Sequence, residues 1–396
     1  MFVDDDGMLL DGLQRALRPM RSEWTMEFAS NGAAALERMA HSPFDAIVTD
    51  MRMPGMSGAQ LLEQVRLYYP QTIRFVLSGQ SDRETILRTV IPAHQYLAKP
   101  CATDVLRQKL SQALALKDLL ENSTVKELIS QIKALPCTPD LYLQLRETLK
   151  SPACSVADVG RIIERDMAMT SKILQLVNSA FFGLGHHISN PAQAVFVLGT
   201  ETVKSLVLSI GIFSQFAAGN LSQRDIDWLW KHSIATSRMS QKIAQLEGQE
   251  KQTIDDCFAA GLLHDIGKLI LMTQRHFEWE TIGKMAKSEN ITLWDAEHRV
   301  LGCSHAELGA YLLGIWGLPS AIVEAVAWHH NPSGSPVVQL SPLAVVHMAD
   351  CIHAALDPCK ADDSDSFDSD FLARCGLKDR VEQWTRACRT VLGETQ

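Results

Sequence analysis

The chain has 396 residues, of which 46% are hydrophobic and 21% charged, and its formal net charge is −9. That length favours two or three domains over one core, and the acidic balance argues against a basic, phosphate-tracking surface, so nucleic acid is not an expected partner. Nine cysteines without CxxC pairs indicate neither a disulfide framework nor a zinc ribbon, so reduced thiols in the cytoplasm are expected.

The stretch "SLVLSIGIF" at 205–213 is too short to cross a bilayer. No basic-then-apolar leader opens the chain, so neither a membrane nor secretion is expected.

From residue 2 to about 116, short β-rich runs alternate with helical patterns, which predicts successive βα units around a parallel sheet. "MFV", "TMEFA", "DAIVT", "IRFVL" and "HQYLA" are the five predicted strands. "GMLLDGLQRAL" and "GAQLLEQVRLYY" carry apolar residues at helical spacing between them. The first run is shorter than a buried central strand usually is, which points to a start further upstream.

In such a sheet the polar groups that meet a ligand gather beyond the carboxyl ends of the strands. Asp4 and Asp5 close the first strand, Asp50 the third and Ser78 the fourth, and Lys99 follows the fifth. Singly, Asp4 reads as a helix cap, Ser78 as a turn residue and Lys99 as a surface charge. Together, three converging carboxylates repel one another and call for a hard, oxygen-preferring cation such as Mg²⁺. Asp50 is then the expected nucleophile toward a phosphoryl group, with Lys99 and the Ser78 hydroxyl stabilising its equatorial oxygens.

The motifs "VDDD", "VTDMRMPGMSG", "VLSGQSD" and "YLAKP" closely resemble the receiver domain of two-component response regulators, over about 1–118. The resemblance implies a doubly wound, flavodoxin-like α/β domain. It also implies that Asp50 takes phosphate from a sensor histidine kinase and that Asp4, Asp5, Asp50 and the backbone carbonyl of Arg52 hold Mg²⁺. Tyr96, three residues before Lys99, is the implied aromatic switch. Homodimerisation is an expectation by analogy alone.

After about residue 118 the strand patterns stop, and 119–396 is predicted to be all-α. "VKELISQIKAL", "VADVGRIIERDMAMTSKILQLVN" and "AQAVFVLGTETVKSLVLSIGIF" are the clearest helical runs. "KADDSDSFDSD" at 360–370 reads as a solvated loop before a last helix. No fixed-period repeat points to a solenoid.

In "AAGLLHDIGKLIL", His264 and Asp265 sit side by side in an apolar helix, and a buried ionisable pair is costly unless partners or a metal satisfy it. His232, His305, His329, His330 and Asp350 are the candidate partners. Imidazoles with carboxylates suit Zn²⁺, Mn²⁺ or Fe, with Asp265 able to bridge two ions and Lys268 close to a substrate phosphate. His276 and His347, each alone on a helix, and His186 and His187 in "GLGHHIS" read as structural.

The order His232, "HDIGK", His305, a His pair and Asp350 is similar to the ligand order of the HD superfamily of metal-dependent phosphohydrolases. Over about 125–350, "LPCTPDLYLQL", "IIERDMAMTSKILQLVNSAFFG", "ISNPAQAVFVLG" and "GAYLLGIWGLP" resemble the HDOD domain, the HD-related output domain of bacterial signalling proteins. Two departures weigh against a cyclic di-GMP phosphodiesterase of the HD-GYP type. "HHNPSGSP" replaces the signature expected after the His pair, and Trp228 stands where some of those enzymes carry a Glu ligand, so at most two ions are expected.

Three functions follow. The first is a response regulator whose HDOD output signals through protein contacts with an unnamed downstream protein, the change carried by a helix over 102–122. The second makes the output a metal-dependent phosphohydrolase or phosphodiesterase. The third, a transcription factor, lacks a basic helix-turn-helix pattern after residue 118.

Overall fold

Apolar residues on both faces of each central strand drive the N-terminal part to bury its sheet between helices. The computed structural model describes residues 1–79, 92–115, 126, 128–130, 132, 135–151, 154–178, 187–204, 206–207, 214–215, 223–356 and 367–393. Among these, β1 (Phe2–Val3), α1 (Gly7–Ala16), β2 (Phe28–Ala29), α2 (Gly32–His41), β3 (Ala46–Asp50), α3 (Gly58–Tyr68), β4 (Ile73–Gly79), β5 (Gln95–Lys99) and α4 (Thr103–Ala115) follow in turn. The strands form one parallel sheet in the order β2-β1-β3-β4-β5, the doubly wound order in which ligands meet the carboxyl ends.

Successive residues of β3 serve opposite faces, as the period of two requires. Val48 packs with Phe2, Phe75, Leu77 and Leu97 beneath Leu106 and Leu110 of α4, whereas Ile47 packs with Val3, Val76 and Tyr96 beneath Leu61, Leu62 and Val65 of α3. Asp6, Asn31 and Ser57 cap the first three helices, Ser57 through a reciprocal box with Gln60.

The second part continues as β6 (Pro136–Cys137), α5 (Pro139–Lys150), α6 (Val156–Ile163), α7 (Met167–Val177), α8 (Pro191–Leu198), α9 (Thr200–Lys204), β7 (Ser214–Gln215) and α10 (Gln223–Leu246). It then runs through α11 (Lys251–Leu263), α12 (Ile266–Gln274), α13 (His276–Glu289), α14 (Leu293–Leu301) and α15 (His305–Ile315). α16 (Ser320–Trp328), α17 (Pro342–Leu356), α18 (Ser369–Arg374) and α19 (Val381–Gly393) complete it. No described helix is long and apolar enough to cross a membrane.

The second part is helical as expected, with a short parallel ribbon of β6 and β7 beside its helices. Some details need correction. The run "VADVGRIIERDMAMTSKILQLVN" is two helices, because Asp166 caps α7 with its side chain and also accepts from Thr138 and from the Trp230 indole. The acidic segment ends as structure, with Asp368 capping α18, and two helices rather than one follow it. Lys99 ends β5 instead of following it. The 205–213 run apart from 206–207, residue His186, the 360–366 part of the acidic segment and the 116–122 part of the expected connecting helix lie outside the described residues.

The sheet face covered by α4 continues into the core of the helical part. Polar contacts pin the junction. Arg74 Nη2 donates to Ser130 O at 2.7 Å, Gln175 Nε2 donates to His94 O at 3.0 Å, and Gln95 Nε2 donates to Ile315 O at 3.1 Å. Lys172 is buried beside them, donating to Gln175 Oε1 at 2.8 Å with its ammonium 5.2 Å from the Trp316 ring centroid. Burial pulls its pKa down to about 7.

Candidate functional site

Two polar clusters stand out, one at the sheet's carboxyl edge and one among the later helices. At the sheet edge, Lys99 Nζ donates to Asp4 Oδ2 at 2.6 Å and also to Asp50 Oδ1. Burial disfavours the Lys99 ammonium, but the two carboxylates outweigh it and raise its pKa. Asp50 Oδ2 accepts from the Arg52 amide at 2.6 Å, and Asp4 Oδ1 accepts from the Asp6 amide at 3.0 Å.

Gly58 makes the Asp50 turn possible, since a Cβ there would lie 2.0 Å from the Asp50 carbonyl oxygen. Asp5 is exposed. Ser78 pairs with Ala98 in register, while its side chain lies outside the described residues. Tyr96 is 1% exposed and packs in the sheet core, where burial raises its pKa well above the usual tyrosine value.

The helical cluster gathers residues 232 to 350. His264 and Asp265 form the joint between α11 and α12, His305 opens α15, and His329 and His330 follow α16. His232 comes from α10 and Asp350 from α17. Gly267 lets the joint approach α15, because a Cβ there would lie 1.9 Å from the His305 carbonyl oxygen.

The seven side chains fall into two groups, Asp265–His305–His329–His330 and His232–His264–Asp350, with ligand atoms within 4.8 Å of one another in each. The Asp4, Asp5 and Asp50 set is not among the described groups of this kind. Asp265 lies between the two halves. Its Oδ1 is 3.2 Å from His305 Nε2 and 3.8 Å from His329 Nε2, whereas its Oδ2 is 3.5 Å from both His232 Nε2 and His264 Nε2. In the second half, His232 Nε2 is 3.0 Å from Asp350 Oδ1 and from His264 Nε2. In the first, His330 Nε2 is 3.0 Å from His305 Nε2.

Electrostatics keep the acids charged. Burial would raise the Asp265 carboxyl, but His264, Lys268 and His305 hold it well below the usual range. Asp350 behaves likewise through His232 and His264. Burial opposes the Lys268 ammonium, yet Asp265, bonded at 2.8 Å, and Asp350 push its pKa up to about 12. Burial and the neighbouring imidazoles hold His329 and His330 well below the ordinary histidine value.

The donor set fits a metal centre. Asp265 Oδ1 and His329 Nε2 are buried without a hydrogen-bond partner, a costly arrangement that a cation between them would relieve. The mixture of imidazole nitrogens and carboxylate oxygens suits Zn²⁺, Mn²⁺ or Fe.

Two contacting residues carried no expectation from the sequence. Glu297 accepts from His305 Nδ1 at 2.7 Å, and His353 Nδ1 lies 2.9 Å from His232 Nδ1. The spacing of Asp350 and His353 on one helix face was the available signal for His353. Nothing in the amphipathic run of α14 marked Glu297. Trp228 stacks on His232 with ring centroids 4.9 Å apart.

Of the histidines read as structural from the sequence, the described ones, His187, His276 and His347, stand outside both groups. His347 donates to His329 O at 2.7 Å and accepts from the Asp368 amide at 2.9 Å. His187 lies 3.0 Å from Asp256, and His276 rests on Phe277.

Comparison with known proteins agrees with this division. The response regulator receiver domain matches residues 1–111, and the HDOD domain matches 135–332, half of the chain. An uncharacterized protein of Treponema pallidum is 26% identical over 209 residues, 52% of this chain and 39% of that protein. The hydrogenase transcriptional regulatory protein HoxA of Cupriavidus necator is 35% identical over 121 residues, 30% of this chain and 24% of that protein. The chain thus spans well under half the length of these relatives.

Among solved structures, the MmoQ response regulator of Methylococcus capsulatus matches at 22% identity with a TM-score of 0.47, covering 64% of this chain and 98% of that one. With a receiver sheet ending at Asp50 and Lys99 and a family match that takes in six of the seven clustered side chains, all but Asp350, the chain belongs to the HDOD domain family, as a response regulator with an N-terminal receiver domain and an HDOD output.

Proposed function

We propose that the receiver takes a phosphoryl group on Asp50 from a sensor histidine kinase in the cytoplasm, and that the HDOD output carries a centre where Asp265 and the histidine groups on either side of it would hold two divalent ions. The observation that carries the second part is the position of Asp265, whose two oxygens face two separate histidine groups.

At the receiver, an Asp50 oxygen attacks phosphorus, the bond to the donor histidine nitrogen breaks, and an acyl phosphate remains. Lys99, already bonded to Asp50, is placed to pair with the new phosphoryl oxygens. Asp4, Asp5, Asp50 and the Arg52 carbonyl would hold Mg²⁺, which supplies charge neutralisation there. The Ser78 hydroxyl and Tyr96 are the proposed responders.

In the output, ions at the two groups would supply Lewis-acid polarisation of a phosphoryl oxygen and a nucleophilic water. Lys268 is anchored on Asp265 within a turn of the centre and would bind a phosphate oxygen. This favours a second reading, in which the output hydrolyses a phosphoester and the receiver regulates it. The junction contacts from Gln95 and His94 support direct communication in either case.

Metal analysis of the purified chain beside Asp265→Asn tests the centre. Two ions per wild-type chain, both lost in the variant, are expected. A wild type that retains none after loading with Mn²⁺ or Zn²⁺ overturns it. Hydrolysis of phosphoesters by the loaded wild type, absent in His264→Ala, then separates enzyme from signalling scaffold.

A further inference from the structure

Behind the two histidine groups the protein places different supports. Glu297, on α14, is 0% exposed, and its Oε2 accepts from both the His305 amide at 2.8 Å and His305 Nδ1 at 2.7 Å. The capping box of Ser304 and Glu307 fixes the first turn of α15, so His305 is held by its backbone and its ring together. With Nδ1 bonded to a carboxylate, His305 has its ring fixed so that Nε2, the atom that would face an ion there, lies 3.2 Å from Asp265 Oδ1 and 3.0 Å from His330 Nε2. The other oxygen, Glu297 Oε1, is buried with no hydrogen-bond partner. That leaves negative charge which a nearby cation would offset.

The opposite half is supported differently. His232 Nδ1 meets His353 Nδ1 at 2.9 Å, and His232 Nε2 lies 3.0 Å from Asp350 Oδ1. For His232 to bind through Nε2, its proton must sit on Nδ1, and His353 must accept it with a neutral nitrogen. A carboxylate behind a histidine strengthens it as a ligand, whereas a neutral imidazole does so less.

We propose that Glu297 is a positioning residue that makes the Asp265–His305–His329–His330 half the tighter of two unequal ion sites, the one that fills first. This rests on the metal-centre reading above.

The test is titration of the chelator-stripped full chain with Mn²⁺, followed by calorimetry and by Mn²⁺ electron paramagnetic resonance. Wild type is expected to show two classes of site. Glu297→Gln, which keeps the shape but removes the charge, is expected to weaken the tighter class by about 10–100-fold and leave the weaker within about threefold. Glu297→Asp keeps the charge and is expected to retain most of the tighter affinity. His353→Phe is expected to weaken only the second class.

Nitrogen-15 spectra of labelled histidine supply a readout that mere packing would not move, since His305 should carry its proton on Nδ1 in wild type and lose that preference in Glu297→Ala. Unchanged affinities in Glu297→Gln, or equal loss from both classes in all variants, overturn the proposal while leaving the metal centre standing. A wild type that binds no Mn²⁺ overturns both.

Discussion

Gln95 opens the strand that ends at Lys99, and its side-chain amide donates to the carbonyl of Ile315 at 3.1 Å, at the far end of the helix that begins with His305. One strand and one helix therefore run from the Asp50 pocket to the histidine cluster, joined by this bond. Gln95→Ala is expected to cost about 1 kcal/mol of stability. It is also expected to abolish any change in Mn²⁺ affinity that phosphorylation of Asp50 produces. Calorimetry on phosphorylated and unphosphorylated chains reads both, and an undiminished response in the variant would refute this route.

The buried Lys172 makes stability at the junction depend on pH. Its pKa in the folded chain is about 7, below the ordinary value of 10.5, so between these two values the unfolded chain binds more protons than the folded one. Stability from this group therefore rises with pH from about 7 upward, by at most about 1.4 kcal/mol per unit. Lys172→Met, beneath the same Trp316 ring, is expected to flatten that slope in urea unfolding between pH 7.5 and 9.5 and to gain most at the low end. Parallel slopes for the two proteins would contradict it.

Phosphotransfer should depend on the pair at the sheet edge. Asp50→Asn is expected to abolish labelling from a histidine kinase or a small phosphodonor such as acetyl phosphate. Lys99→Ala removes the contact shared by Asp4 and Asp50, and it is expected to slow labelling by at least about tenfold, the rate cost of 1.4 kcal/mol. Equal labelling of wild type and Asp50→Asn would sink the assignment.

Gly267 tests how closely α12 must approach α15. A methyl group there meets the His305 carbonyl, so Gly267→Ala is expected to cost about 1–3 kcal/mol through overpacking. Bound metal should fall with it, because His305 moves relative to Asp265. Thermal unfolding with metal analysis on the same sample checks both effects together.

The strand runs and the residues at their ends were legible because they depend on local alternation and on a general property of parallel sheets. Asp50, Asp4 and Lys99 meet at one edge as those rules require. The break at Asp166 was not legible, since it depends on a carboxylate reaching Thr138 and Trp230 from distant segments. Glu297 was missed for the same reason. On its own helix it is one acid among several, and only the packing of α14 against α15 brings it to His305.

Sequence by itself determined the two textures of the chain and marked seven candidate ligands and a candidate phosphoacceptor, because apolar period and residue chemistry are written locally. Tertiary structure alone decided that the ligands divide into two groups around Asp265 and that the receiver grips the output through Arg74, His94 and Gln95. Those relations join residues far apart along the chain, and their distances are set by how helices and sheet pack, which no local pattern encodes.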